Sequence, residues 1–155
     1  MNYTQLSAAI SAYTENTEAN FIAEIPVFIT QAEQRIYNSV QFPSLRKNME
    51  GSITAHNKYL SAPNDFLAVY SLAVYPVGGG DFEYLLNKDV NFIRQCYPNP
   101  TDYGAPKYYA LFGPTVTGGA ITNELTFILG PTPDTAYIAE LHYYYYPESI
   151  TTASS

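Results

Sequence analysis

Tyr137-Ile138-Ala139-Glu140-Leu141-His142-Tyr143-Tyr144-Tyr145-Tyr146 is the stretch that decides the fold. β-Branched and aromatic residues dominate it, as they do in strands. With a period of two, Tyr137, Ala139, Leu141, Tyr143 and Tyr145 fall on one face, and Ile138, Glu140, His142, Tyr144 and Tyr146 on the other. Both faces carry large rings, which suits a strand covered on both sides. Such a strand belongs inside a sheet, so its neighbours should lie upstream.

Leu67 to Val77 is the best candidate, dense in β-formers (Val69, Tyr70, Val74, Tyr75, Val77). Gly78-Gly79-Gly80-Asp81 predicts a turn, with Phe82 to Leu86 returning as the hairpin partner. Gly51 to Ala55, Tyr59 to Phe66, Lys107 to Phe112 and Glu124 to Leu129 predict further strands. Gly118-Gly119 and Gly130-Pro131-Thr132-Pro133-Asp134 punctuate them. The prolines at 98, 100 and 106 make that segment a long loop, since each removes a donor and fixes φ.

Before Met49 the period is helical. Thr4 is expected to cap a short helix carrying Leu6, Ile10 and Tyr13 on one face, and residues 14–20 form a polar connection. A second helix places Pro26 near its first turn, where a missing N–H costs least. Its stripe of Phe28, Ile29, Ala32, Ile36 and Val40 is expected to pack on the core, with Gln31, Glu33, Gln34 and Arg35 outward and Phe42-Pro43 as the stop. A third helix, Lys88 to Tyr97, should be capped by Asn87 and bury Val90, Phe92, Ile93 and Cys96. The fold class is α+β: N-terminal helices and an inserted short helix packed on an antiparallel β-sheet or sandwich. One domain spans 1–147, helical mainly over 1–48 and 87–97 and β mainly over 49–86 and 107–147. Residues 148–155 have nothing to pack a core with and are expected to be a mobile tail.

Composition says how such a domain is used. Of its 155 residues only 14% are charged, against about 25% in ordinary soluble domains. There are 16 Tyr and 8 Phe but no Trp. Tyrosine joins a large apolar ring to a polar tip and serves half-buried and interfacial positions, where charge is scarce. The net charge is −7, and the seven basic residues (Arg35, Arg46, Lys47, Lys58, Lys88, Arg94, Lys107) are scattered. That argues against general affinity for nucleic acid, while weak repulsion would let a polyanion slide past. A lone Cys96 makes no intramolecular disulfide. Met1-Asn2-Tyr3-Thr4 lacks the features of a secretory signal, and no apolar run reaches the roughly 20 residues of a membrane span. Synthesis in a reducing cytoplasm and no membrane association are expected.

Reactive constellations are absent from the pattern. His56 and His142 belong to no ligand-spaced pair. No serine lies in a G-x-S-x-G elbow, and Gly78-Gly79-Gly80 is not followed by the GK[ST] of a phosphate loop. Asp102, Asp134 and Glu140 stand singly. The residues imply no catalytic group, no metal and no cofactor, and so not an enzyme.

Several segments resemble, in order, the bacteriophage adaptor (head-to-tail connector) family. Ile25-Pro26-Val27-Phe28-Ile29 running into Ala32-Glu33-Gln34-Arg35-Ile36 resembles that family's IP-x-F-[IV]-x-x-AE-x-RI helix. Tyr59-Leu60-Ser61-Ala62-Pro63-Asn64-Asp65-Phe66-Leu67 is similar to its YxLPxDFL element, with Ala62 where Leu is common. Leu85 to Arg94, Gly104 to Ala110, and Leu129 to Asp134 followed by Tyr137 and Leu141-His142-Tyr143 continue the series. The resemblance implies a structural virion protein at the head–tail junction, a ring of twelve copies joining portal to tail or nozzle. DNA would pass through the lumen without specific binding. It implies partner contacts at Tyr144, Tyr146, Glu148 and Ile150 near the C-terminus, and at Tyr103 in the proline loop. The alternatives are a carbohydrate-binding module with a Tyr143–Tyr146 platform, or another tail or nozzle part.

Placing Leu141 on the covered face of the last strand yields a first prediction. Leu141→Asp buries an unpaired charge, so the variant should lose its cooperative thermal transition in circular dichroism; a wild-type melt would put Leu141 at the surface.

Overall fold

A computed structural model of the chain describes residues 1–117, 119–123 and 125–152. Gly118 of the expected turn, Glu124 at the expected strand start and residues 153–155 of the expected tail lie outside them. The elements run α1 (Tyr3–Thr14), α2 (Ala19–Ser39), a 3₁₀ turn (Pro43–Leu45), β1 (Arg46–Ile53), β2 (Tyr59–Ser61), β3 (Phe66–Pro76), β4 (Glu83–Tyr84) and β5 (Leu86–Asn87). They continue with α3 (Val90–Cys96), β6 (Tyr103–Gly104), β7 (Tyr108–Phe112), β8 (Thr115–Thr117), β9 (Ala120–Asn123), β10 (Thr126–Gly130), β11 (Thr132–Pro133) and β12 (Tyr137–Tyr145). The fold class is α+β, as the patterning predicts. Two compact units divide the chain: Arg46–Tyr145, and Met1–Leu45 with the segment from Tyr146 onward.

In the β unit, one sheet has the order β1-β12-β3-β4, antiparallel at every step. The second has the order β2-β10-β7-β5, with one parallel step between β5 and β7. Ile53, Leu72, Val74, Tyr137, Ala139, Leu141 and Tyr143 of the first sheet join Tyr109, Phe127 and Leu129 of the second in one core. Phe127 is wholly buried, its ring edge-on to Phe66 and Tyr109. On its other face the second sheet carries α3, where Ile93 meets Ala110 and Ile128. β10 is therefore buried at every residue, which is why Thr-Phe-Ile-Leu-Gly shows no alternation. Between α3 and β10 there is no room for a side chain at Gly130, where a Cβ would lie 2.8 Å from Ile93 Cγ2 and 3.1 Å from Tyr97 Cδ2.

Several local expectations are corrected. Asn2, not Thr4, caps α1, through a capping box with Gln5. Asn16 Oδ1 accepts the Glu18 N–H at 2.9 Å and α2 begins at Ala19, so Pro26 lies inside the helix rather than near its first turn. Asp89, not Asn87, caps α3, its carboxylate accepting the Asn91 N–H at 2.7 Å. The strand read from Gly51 starts at Arg46 and ends at Ile53. Residues 115–123, read as a gap, hold the β8–β9 hairpin. Cys96, expected in the core, is exposed, because α3 ends with it and buries only its Ile93 side.

The largest correction concerns α2. Phe28, Ile36 and Val40, half of each exposed, do not pack on the core, and Ala32 is exposed with them. The inward row is Phe21, Ile25, Ile29, Glu33 and Tyr37, spaced by four. Both rows obey helical periodicity, and a polar Glu33 in the inner one disguised it.

The Gly130 contact makes the second prediction. Gly130→Ala forces α3 off the sheet and should cost about 1–3 kcal/mol, read as a lowered denaturant midpoint; an unchanged midpoint would mean that α3 does not pack there.

Candidate assembly surfaces

In the helical unit the segment after Pro147 is held against α2. Tyr146 Oη donates to Asn38 Oδ1, its ring meets Tyr37 edge-on at 6.5 Å, and the Ile150 N–H donates to Glu33 Oε1 at 3.1 Å. Thr30, Glu33, Gln34, Tyr37 and Asn38, with Tyr146, line a groove of about 500 Å³. The polar residues of the inner row are thus satisfied by chain more than a hundred residues away. Opposite them Phe28, Ala32, Ile36 and Val40 form an uncovered apolar row, joined by Val27.

On the first sheet, β1 and β12 make a band of polar and aromatic contacts. Arg46 lies 4.2 Å from the Tyr70 ring centroid and donates to Tyr144 Oη at 3.0 Å. Lys47 Nζ sits 2.6 Å from Asp65 Oδ2 and over the Tyr145 ring, while Tyr143 Oη donates to Asp65 Oδ1 at 2.9 Å. Asn48 donates to Glu140, and Tyr75 Oη donates to Glu50. Burial works to raise the Asp65 pKa, but hydrogen bonds from Lys47 and Tyr143 and the lysine charge outweigh it, leaving the carboxyl below its ordinary range. Burial first, then the hydrogen bond to Asp65 and its charge, push Tyr143 up to about 12.

Of the five residues expected to meet partners, Tyr103 is half exposed on β6 with its ring 4.3 Å from His56, and Glu148 is exposed. Tyr144 is buried among Arg46 and Tyr70, and Tyr146 and Ile150 are engaged on α2. Tyr143 and Tyr144, both buried, offer no open platform for a sugar. The outer row of α2 was missed as a surface. Its signal was in the sequence, since a helix with two apolar rows has more apolar surface than one core face uses. Among the described residues no three His, Cys, Asp or Glu side chains gather as a metal shell, and no helix is long and apolar enough to cross a membrane.

An apolar row on α2 is thus left uncovered beside polar groups that are satisfied. All of the chain, residues 1–155, matches the family model of the SU10 adaptor protein, and the chain belongs to that family. It is thus a phage adaptor, a structural component of the virion that interacts with portal and tail proteins. No curated protein matches it.

The Asp65 network gives a pH prediction. A lowered carboxyl stabilises the fold above its unfolded value near 3.8 and loses that contribution as pH falls through the folded value. A raised phenol stabilises below its unfolded value of 10.0 and loses that as pH climbs towards about 12. Melting temperature should fall at both ends, and Asp65→Asn should flatten the acid limb; an acid limb unchanged in the variant would place its cause elsewhere.

Proposed function

We propose that the chain is one subunit of a ring of twelve copies that joins the portal to the tail or nozzle and surrounds the path of the genome. The uncovered row Phe28, Ala32, Ile36 and Val40 on α2 carries this reading. A free monomer gains nothing from an apolar row facing water, whereas a subunit with lateral, portal and tail neighbours gains its burial, about 25 cal/mol per Å² covered. Low charge supports the same reading, since interface cores are depleted of charge. An acidic balance of −7 suits a lumen wall that must not hold DNA. Tyr103 and Glu148 are the proposed contact residues with free surface. Tyr146 and Ile150 would serve by exchanging their partners on α2 for a portal subunit, with residues 148–155 acting as an arm. Tyr144 would act through the band it anchors. As a structural part the subunit has no reaction to perform.

Mass measurement in solution, with and without the phage's portal ring, tests this. Wild type alone should remain of low mass and assemble on the portal as a template that imposes the rotation per subunit. Ile36→Asp, at an exposed site, should shift stability by no more than about 0.5 kcal/mol yet abolish assembly. A wild type that ignores the portal overturns the ring, and an Ile36→Asp chain that assembles normally removes α2 from its contacts.

A further inference from the structure

We propose that the first sheet continues from one copy of the chain into the next, with β4 of one copy pairing against β1 of its neighbour; the proposal rests on the ring reading and names the lateral contact within it. The sheet ends at β1 on one side and at β4 on the other. β1 is a regular eight-residue edge strand whose register with β12 runs from Arg46↔Tyr144 to Ile53↔Tyr137 without a bulge. Proteins usually guard such an edge with outward charges, proline or bulges. Here the charged residues of β1 are engaged by partners within the same chain. Arg46 reaches Tyr144 and Tyr70, Lys47 reaches Asp65, Asn48 reaches Glu140, and Glu50 accepts from Tyr75. These side chains are exposed but tied to partners beside their own sheet, and β1 has no strand paired on its outer side.

The opposite edge complements it. β3 carries two bulges, between its Ser71 and Val69 and between its Ala68 and Phe66, which spoil that stretch as a template. The two-residue β4 forms the edge beyond it, and Asp81, Phe82, Glu83 and Tyr84 around it are all exposed. Strand direction alternates through β1, β12, β3 and β4, so a neighbour's β1 placed beside β4 extends an unbroken antiparallel ladder. Charge fits as well: Arg46 at the start of β1 has no carboxylate partner among the described residues, and neither Asp81 nor Glu83 has a basic one. Opposite charges at the two edges, Arg46 on β1 and Asp81 and Glu83 at β4, favour the join. Because the joined edges are different surfaces, the contact is head-to-tail, the kind that closes into a ring.

Arg46→Glu in one chain, and Asp81→Lys with Glu83→Lys in another, put like charges on both edges of each variant. Each alone should lose ring formation on the portal by at least about tenfold, since facing like charges suppress pairing. An equal mixture should recover it, because copies that alternate restore an acid–base pair at every junction. The mixture contains only the two defective chains, so recovery also shows that both are folded. If wild type forms rings and either variant does too, or the mixture does not, sheet continuation is wrong and the ring reading stands. If wild type forms no ring, both fall.

Discussion

Burial of the inner face of β12 is the constraint on which the rest depends. Tyr137, Ala139, Leu141 and Tyr143 press from that face towards the second sheet, and Phe127, wholly buried, closes the space between. β1 and β3 flank β12 on both sides, so neither can keep its place without it. β10 in turn must be apolar on both faces, because α3 covers the one that the first sheet does not. A chain with so few charges still forms this sandwich because tyrosine hydroxyls at its margins find carboxylates. Tyr143 reaches Asp65, and Tyr137 reaches Asp134 at 2.7 Å.

Much of this architecture was legible because period and composition agreed. Tyr137–Tyr145 reads as a strand and is one, over the same residues. Leu67 to Val77 differs from β3 by one residue at each end. Legibility failed where two physical solutions share one pattern. α2 has apolar residues on two rows, and periodicity alone does not say which row the chain buries for itself. The answer lay in Tyr146 and Ile150, distant residues whose groups satisfy Asn38 and Glu33. Caps were missed for a similar reason, since Asn2 and Thr4, or Asn87 and Asp89, are equally able acceptors until the backbone chooses. Cys96 was misplaced because a helix of seven residues has too few turns to bury a whole side.

The surfaces were less legible than the fold. Tyrosine abundance pointed to contacts, yet Tyr143 and Tyr144 turn out to work inside the subunit, one in the core and one in a stack with Arg46. Apolar exposure includes α2 and the surroundings of β4, where Phe82 and Tyr84 extend a line of rings from Tyr75. Composition reports how much surface needs covering. Only register and edge order report where.

The helical unit is assembled from the two ends of the chain, while the β unit is one continuous stretch, Arg46–Tyr145. Synthesis therefore delivers α1 and α2 first but completes their unit last. The partners of Glu33 and Asn38 emerge only after every strand has been made. Closing so long a loop is slow compared with local pairing, and a nascent chain holds Glu33 and Asn38 without these partners throughout. The sandwich is thus expected to fold before the helical unit closes, which waits for Tyr146 and Ile150 to reach α2.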